Sequence, residues 1–329
     1  MKKLWIAFEG GGSKTRILLS DTACNVCAKE VGGTSHPSYI HLHDYARKTR
    51  SLLKRIKREA DRLDGRVTMA GLAGPMNVSL VRDLIREVFG PVKSLLMGEG
   101  DIALALYGLR YGISLVAGTG ASCRYMDERG EWTGGGGLGP QFGDEGSGYW
   151  IGREAVSAAM RAENGLGPKT VLGERLREFF GIQHFVEIYS LCDRSGHVPT
   201  PRIAALCPVV CAAAEEGDAV ARGILRAAGT ALGRLVVTVA RKRPAAKRPI
   251  PVVPTGGVFC AGRFIIGPLK RVLSASSIPF EVYPEVPEPS EGILKRIQAM
   301  VTEEEAGFGC RVSGVGHGRN PGATRNPKP

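Results

Sequence analysis

An alternation of predicted strands and helices indicates an α/β fold, and two similarly built halves indicate that the fold is duplicated. The first half is predicted as β-β-β-α-β-α-β-α, and the second half restarts with strands at Ile113. Each half opens with a glycine-rich turn between two apolar runs of strand length, which predicts a β-hairpin. At 329 residues, the chain is long enough for two domains with separate cores.

The first half begins with three short apolar runs at residues 4–8, 16–20 and 26–31, each predicted as a strand. Residues 42–63 follow as a basic amphipathic helix, because apolar residues recur there at helical spacing. The remaining elements predicted for this half are a strand at 66–69, a helix at 78–88, a strand at 94–97 and a helix at 101–110. Together they make up the first predicted domain, residues 1–112.

The second predicted domain, residues 113–289, differs from the first by a long helical block at about 150–240. After the opening hairpin, a third strand begins near Trp132. The helices predicted within the block lie at 148–162, 170–180, 185–192, 202–215 and 218–240. The earlier alternation then returns, with a strand at 250–253, a helix at 262–275 and a strand at 280–283. We expect a last helix at 290–301 to pack back on the first domain, and a disordered tail at 302–329.

The chain has a net charge of +12, with basic clusters at 47–62 and 241–248. Such clusters are typical either of an anionic-surface contact or of a solvated helix face. Neither is accompanied by a nucleic-acid motif or stacking aromatic residues, so no nucleic-acid partner is predicted. No run of eighteen apolar residues and no signal-peptide pattern occurs, which predicts no membrane partner and a cytoplasmic location. The eight cysteines are scattered and are predicted to be reduced, structural thiols.

The two glycine-rich turns have the sequences EGGGSKT at residues 9–15 and AGTGAS at residues 117–122. Glycine lets the backbone come close to a ligand and leaves N–H groups free to hold phosphate oxygens. Neither turn opens a helix, which excludes both the Walker loop and the dinucleotide-binding fingerprint. Two such hairpins, one in each half, indicate a duplicated domain that closes on a nucleoside triphosphate.

A third glycine-rich segment, GGGGLGPQFGDEGSGYWIG at residues 134–152, leads directly into a helix. Together with the two hairpins and the TGG sequence at 255–257, it gives the chain a family resemblance. From about residue 4 to residue 300, the chain resembles the N-acetylglucosamine kinase and BadF/BadG/BcrA/BcrD-type ATPase family. This family belongs to the actin-like ATPase and sugar-kinase superfamily. The resemblance implies two ribonuclease-H-like domains with ATP and Mg²⁺ in the cleft between them.

The resemblance also implies roles for individual residues in that cleft. Glu9 fills the acidic position that helps to hold the metal ion through water. Gly256 and Gly257 match the turn that faces the adenosine, although an ordinary strand-to-helix turn would have the same sequence. The residues implied to surround the phosphates are Gly11, Gly12, Ser13 and Lys14 from the first hairpin and Gly118, Thr119 and Gly120 from the second.

Asp101 matches the general base of the kinases in this family, which accepts the proton of the sugar hydroxyl. Its position at a strand-to-helix junction is equally suited to capping the helix. Asp144 matches the carboxylate that hydrogen-bonds sugar hydroxyls, and the other residues implied at the sugar are His36, Ser122 and Gly137.

Three positions depart from the pattern of N-acetylglucosamine kinases. Ser122 stands where an asparagine often reads the sugar, His36 lies in a Ser-His-Pro sequence that replaces Ser/Thr-Asn, and Leu138 replaces a tryptophan. We therefore expect a sugar kinase of broad specificity, whose substrate is N-acetylglucosamine, glucosamine or a related hexose.

Two other functions and a homodimer stay open at this point. An ATPase activator of a 2-hydroxyacyl-CoA dehydratase or benzoyl-CoA reductase would need cysteines that hold an iron–sulfur cluster. Cys123 does not lie in the Gly-Cys-Gly setting expected of such a ligand. A non-catalytic sugar sensor would be expected to lack Asp101 or an intact phosphate hairpin, and this sequence has both.

Overall fold

The computed structural model describes residues 1–37, 39–193, 196–243, 248–286 and 289–305. Its strands form two five-stranded mixed sheets with helices packed against them, which confirms the predicted α/β fold class. The strand orders are β3-β2-β1-β4-β5 in the first sheet and β10-β9-β6-β7-β8 in the second. When the second order is read from β8 to β10, each strand corresponds to the strand at the same place in the first sheet. The duplication that the hairpins predict therefore extends to all five strands of each sheet.

The first sheet combines an antiparallel hairpin side with a parallel side. β1 pairs antiparallel with β2 and parallel with β4, and β4 pairs parallel with β5. Parallel neighbours need a crossover connection, which helices provide here. The strands are β1 (Lys2–Glu9), β2 (Thr15–Asp21), β3 (Val26–Gly32), β4 (Gly65–Ala73) and β5 (Lys93–Met97), and the helices are α1 (Leu42–Arg62), α2 (Val78–Phe89) and α3 (Glu99–Leu106).

Both faces of the first sheet are covered, which explains why residues 4–8 of β1 form a continuous apolar run rather than an alternating pattern. Ile6 and Phe8 point to the core formed with α1 and α2. Trp5 and Ala7 point to the opposite core, which includes Ile293 from α10 (Ser290–Glu305). The last helix of the chain therefore packs on the first sheet, and it also lies against α3.

The second sheet repeats the arrangement and adds the helical block. β6 pairs antiparallel with β7 and parallel with β9. The strands are β6 (Gly112–Ala117), β7 (Ala121–Met126), β8 (Trp132–Gly136), β9 (Ile250–Thr255) and β10 (Phe280–Val282). The helices are α4 (Gly148–Glu163), α5 (Leu172–Phe180), α6 (Thr200–Ala204), α7 (Cys207–Glu215), α8 (Ala219–Ala240) and α9 (Arg263–Ser274), with 3₁₀ turns at Phe185–Leu191 and Gly257–Ala261.

Some element boundaries differ from the sequence-based expectation. The helix predicted at 202–215 is two helices, α6 and α7, because Pro208 in the first turn of α7 suits a helix start but not a helix interior. The segment predicted as a helix at 185–192 is a 3₁₀ turn. The tail predicted from 302 is helical up to Glu305, and residues 306–329 lie outside the described residues.

Helix α8 is long and apolar enough to cross a membrane, judged by length and composition alone. Its side chains at Leu225, Leu232 and Val236 are instead buried in the second domain, against α9. Gly229 permits this close packing, because a Cβ atom there would lie 2.3 Å from the carbonyl oxygen of Ile265. Burial within the domain therefore accounts for the apolar composition of α8.

Candidate active site

The two glycine-rich hairpins, one from each sheet, meet face to face. A Cβ atom built on Gly12, in the turn between β1 and β2, would lie 2.9 Å from Cβ of Thr119, in the turn between β6 and β7. Real Cβ atoms do not approach so closely, so only glycine fits at position 12 without a shift. The turns predicted to bind phosphate from two sides are therefore brought together by the fold.

The first hairpin is held in place by the loop that follows β3. The N–H group of Gly11 donates to Oγ of Ser35 at 2.8 Å, and the carbonyl of Gly11 accepts from the Ser35 N–H at 3.1 Å. The hydroxyl of Thr34 donates to the same carbonyl at 3.2 Å. Gly11 thus anchors the turn with its own N–H group, and Ser13 and Lys14 are exposed at the tip.

The second hairpin is fixed by the start of α4. The carbonyl of Gly118 accepts a hydrogen bond from the N–H of Gly148 at 2.7 Å, and that of Thr119 accepts from the Tyr149 N–H at 3.3 Å. Within the turn, the N–H of Gly118 donates to the carbonyl of Gly120 at 2.9 Å. Because these carbonyls are bonded to the helix N-terminus, the turn has a defined shape before any ligand binds.

The turn predicted to face the adenosine lies beside the second hairpin. Gly256 has a φ of 107°, and a Cβ atom there would lie 2.5 Å from the carbonyl oxygen of Ala117. Both observations require glycine at this position. Gly257 is exposed and begins the 3₁₀ turn that follows. All three segments predicted to contact ATP are therefore neighbours in the fold.

Two carboxylates, Glu9 and Glu99, lie near each other beside the hairpins. Glu9 ends β1, forms an ion pair with Arg16 at 3.3 Å and accepts a hydrogen bond from the hydroxyl of Ser290. Glu99 begins α3, and burial raises the pKa of its carboxyl. The negative charge of Glu9 raises this pKa further, whereas Arg124 of β7 opposes the shift. Glu99 is thus positioned between the two sheets.

This pair of carboxylates fits a divalent cation. Desolvation and the like charge of Glu9 both disfavour the ionised form of Glu99, whereas a bound cation would favour it. Among the described residues, no group of three or more His, Cys, Asp or Glu side chains is arranged to hold a metal ion. Mg²⁺ bound together with phosphates usually takes only one or two carboxylates and keeps several waters.

Asp101 points away from Glu99, although only one residue separates them in the sequence. Its Oδ2 accepts the N–H of Gly98 at 3.1 Å, which caps α3, and Arg296 of α10 lies close enough to lower its pKa. Burial is the larger influence and raises the pKa of Asp101. Two positions along a helix differ by roughly 200° in direction. The sequence analysis names Asp101 alone, and the acidic pair flanking Gly100 indicates that Glu99 is a second candidate at this helix start.

Asp144 lies directly behind the second hairpin. Its side chain is 7% exposed, and a Cβ atom on Gly120 would lie 2.6 Å from its Oδ2. Burial raises the pKa of Asp144, although backbone N–H groups, first that of Gly139 and then that of Ala121, stabilise the ionised form. Its Oδ1 is buried without a hydrogen-bond partner among the described residues. The Asp144 carboxyl therefore lies against the hairpin with one oxygen that lacks a hydrogen-bond donor within the described part of the chain.

The other residues predicted at the sugar come from both domains. A Cβ atom on Gly137, which has a φ of 67°, would contact Cβ of Ser122 at 3.4 Å. His36 lies in the first domain, where its ring stacks on that of Tyr39 at a centroid distance of 4.4 Å. Leu138, which replaces the expected tryptophan, is 81% exposed. Ser122 and Gly137 are therefore in contact with each other, whereas His36 is contributed by the opposite domain.

Two duplicated α/β domains face each other through their glycine-rich hairpins, and carboxylates lie beside these turns. This arrangement defines a two-domain nucleotide-binding protein of the actin-like ATPase and sugar-kinase fold. Within that class, the chain belongs to the BadF/BadG/BcrA/BcrD ATPase family, whose sequence model matches residues 9–283.

Relatives with assigned activities have similar sequences along most of the chain. The N-acetylmuramic acid/N-acetylglucosamine kinase of Clostridium acetobutylicum is 28% identical over 291 residues, which cover 86% of this chain and 92% of that protein. The N-acetyl-D-glucosamine kinase of Dictyostelium discoideum is 25% identical over 273 residues, covering 78% and 85% of the two chains. The crystal structure of a candidate N-acetylglucosamine kinase from Chromobacterium violaceum superposes with a TM-score of 0.65. That protein is 24% identical, and the match covers 88% of this chain and 97% of the other.

Proposed function

We propose that this chain is an ATP-dependent kinase that phosphorylates a hydroxyl group of N-acetylglucosamine or a related amino sugar or hexose. The observation that carries the proposal is the position of Asp144 immediately behind the phosphate hairpins, next to Gly120. A carboxylate at this position can accept a hydrogen bond from a sugar hydroxyl that is held beside the transferred phosphate. The activities of the Clostridium and Dictyostelium relatives support the same substrate class.

ATP binds, in this proposal, between the two hairpins with its adenosine at Gly256 and Gly257. Gly12 and the exposed residues Ser13 and Lys14 would contact the phosphates from the first domain, and the turn 118–120 would contact them from the second. Mg²⁺, when bound with the nucleotide, would neutralise charge on the phosphates beside Glu9 and Glu99. Phosphoryl transfer depends mainly on such positioning and charge neutralisation.

The proton of the sugar hydroxyl goes, we propose, to one of the two acidic residues at the start of α3. The family resemblance implies Asp101, whose carboxylate caps the helix. The geometry favours Glu99, because it lies near Glu9 and Arg124 at the meeting of the two sheets. Burial raises the pKa of both carboxyls, which brings each closer to the range in which it exchanges protons at neutral pH and does not separate the two residues. Replacement of each residue in turn tests the two assignments.

An iron–sulfur activator is the alternative function within the same family. Its candidate ligand, Cys123, is fully buried in β7, and burial raises the pKa of the thiol to about 12. A thiol in this environment is an inert part of the core rather than an accessible metal ligand. This observation favours the kinase over the activator.

We further propose a cytoplasmic protein that is able to form a homodimer and has no nucleic-acid or membrane partners. The basic side chains of α1 are largely engaged in ion pairs within the protein. Arg50 bonds Glu87 at 2.8 Å, and Arg55 bonds Glu30 at 2.8 Å. Such pairs reduce the positive charge that this helix presents to a polyanion.

The proposed activity is tested by measuring ADP release with ATP and Mg²⁺ across a panel of sugars. The panel contains N-acetylglucosamine, N-acetylmuramic acid, glucosamine and glucose, with mass spectrometry of the product to show a phosphorylated sugar. Sugar-dependent ADP release with a matching phosphorylated product is the expected result. ATP binding without turnover on any of these sugars would contradict a kinase of this class and favour a sensor.

A further inference from the structure

Glu9, the carboxylate at the end of β1, is hydrogen-bonded to the residue that starts the last helix of the chain. The hydroxyl of Ser290, the first residue of α10, donates to Oε2 of Glu9 at 2.5 Å. This length is typical of bonds from a hydroxyl to a carboxylate, which are stronger than bonds between neutral groups. Nη1 of Arg16 also contacts Oε2, at 3.3 Å. Of these two donors, Ser290 is therefore the closer to the Glu9 carboxylate.

The bond between Ser290 and Glu9 lies in a largely buried part of the protein. Ser290 is 3% exposed, and the side chain of Glu9 is 15% exposed. A hydrogen bond is electrostatically stronger in such surroundings than in water, and removing its donor from a buried acceptor is costly. A serine hydroxyl at a helix start commonly bonds nearby backbone, whereas that of Ser290 donates to a strand of the first sheet.

The start of α10 is held tightly against α3. A Cβ atom on Gly292 would lie 2.1 Å from the carbonyl oxygen of Ile102, so only glycine permits this approach. Further along α10, Nζ of Lys295 donates to the carbonyl of Leu106 at the end of α3, at 3.0 Å. These contacts fix the position of Ser290 relative to the helix that begins with Glu99.

The chain just before α10 is bonded to the turn proposed to face the adenosine. The N–H of Gly256 donates to the carbonyl of Val286 at 3.0 Å, and the N–H of Val286 donates to the carbonyl of Pro254 at 2.9 Å. The start of α10 is thus connected to the second sheet as well as to α3. Ser290 therefore joins elements of both domains to the Glu9 carboxylate.

We propose that Ser290 is a positioning residue, whose hydroxyl holds the Glu9 carboxylate in one orientation and thereby raises the affinity of the site for nucleotide-bound Mg²⁺. The inference rests on the proposed binding of ATP and Mg²⁺, and it adds a residue of the last helix to the same site. A carboxylate that a second side chain already orients loses less freedom when a cation binds, and such partners of metal ligands commonly set metal affinity. Ser290 acts through Glu9 and takes no part in the chemical step.

Ser290→Ala tests the proposal, because it removes the hydroxyl and leaves the rest of the side chain. The melting temperature is measured with a non-hydrolysable ATP analogue while the Mg²⁺ concentration is varied, since ligands that bind the folded protein raise it. We expect the variant to need about 10-fold more Mg²⁺ for the half-maximal shift, the lower end of the range for losing a partner of a metal ligand. Thr302→Val is the matched control and should respond like the parent. The Thr302 hydroxyl is on the same helix and donates to the carbonyl of Gln298 within it, at 3.0 Å.

A half-maximal Mg²⁺ concentration within twofold of the parent in Ser290→Ala would overturn the proposal. A purely structural hydrogen bond would lower the melting temperature without ligands and leave the Mg²⁺ requirement unchanged. In a Glu9→Gln background, Ser290→Ala should change the Mg²⁺ requirement by less than twofold, because the hydroxyl acts through the carboxylate. A tenfold change in that background would show that Ser290 acts on another group and would equally refute the assignment.

These melting experiments need no sugar, so they separate the inference from the proposed function. A raised Mg²⁺ requirement in a protein that phosphorylates no sugar would leave the role of Ser290 standing and refute the kinase. An unchanged requirement in an active sugar kinase would refute the role of Ser290 alone. A parent protein without any Mg²⁺-dependent shift would refute the cation site, and the inference with it.

Discussion

The contact between the two hairpins gives the sharpest prediction for a single substitution, Gly12→Ala. The new methyl group would lie 2.9 Å from Cβ and 3.0 Å from Oγ1 of Thr119. Carbon atoms pack best at roughly 3.5–4.0 Å, so the hairpins must separate by about 1 Å. The φ of Gly12 lies outside the range that disfavours side chains, and the effect therefore comes from this contact alone.

A displacement of about 1 Å at a site that positions reacting groups can reduce activity by about 10²-fold. We expect Gly12→Ala to lower kcat/KM for ATP by that amount, measured as sugar-dependent ADP release. The melting temperature should change little, because the added methyl group lies where two domains meet rather than inside either core. Gly33→Ala is the matched control, since a Cβ atom at Gly33 meets nothing within 4 Å.

A compensating substitution decides whether the contact is the cause. Thr119→Gly removes the atoms that the new methyl group would meet, so activity in the double variant should recover relative to Gly12→Ala. Parental kcat/KM in Gly12→Ala would refute the close approach of the hairpins. If Thr119→Gly alone keeps near-parental activity, a tenfold or larger loss without recovery in the double variant would show that the methyl group acts on something other than Thr119.

Three further predictions concern the acid–base residues, the sugar and the cysteines. Glu99→Gln should lower kcat by about 10²- to 10⁴-fold if Glu99 is the base, with Asp101→Asn showing the same loss if the base is Asp101 instead. In the parent, kcat/KM should fall as pH drops through the raised pKa of the base. Because the pKa of Glu99 is higher in the folded than in the unfolded state, ionising this residue lowers the free energy of unfolding. The loss of stability grows as pH rises through the unfolded-state pKa. Glu99→Gln should therefore melt higher than the parent at neutral pH. Asp101→Asn, which weakens a helix cap, should melt lower or show no gain. Glucose, glucosamine and N-acetylglucosamine should have kcat/KM values within roughly 10²-fold of one another. The reason is that Ser122 and Leu138 provide few polar groups that a sugar lacking the acetamide would leave without a hydrogen bond. A larger preference, measured side by side, would show that other residues determine the sugar specificity. Protein reconstituted anaerobically with iron and sulfide should bind no cluster, and cluster absorbance that disappears in Cys123→Ser would establish the activator instead.

Much of the fold follows from local patterns in the sequence. The apolar run of β1 and the glycine-rich turn after it predict a hairpin, and their recurrence at β6 predicts a duplicated domain. These features are readable because strand periodicity and the backbone freedom of glycine act over a few neighbouring residues. The single helix predicted at 202–215 was wrong, because Pro208 begins a second helix within this range.

The geometry of the site, by contrast, was decided by packing between segments far apart in the sequence. The sequence by itself determined which residues could bind phosphate, accept a proton or hold a hydroxyl group, since these capacities belong to residue types and their spacing. Only the tertiary structure places Gly12 against Thr119 and directs Glu99 toward Glu9 and Asp101 toward Arg296. Each of these contacts depends on how one domain or helix packs against another, and no periodicity within a single segment records that arrangement.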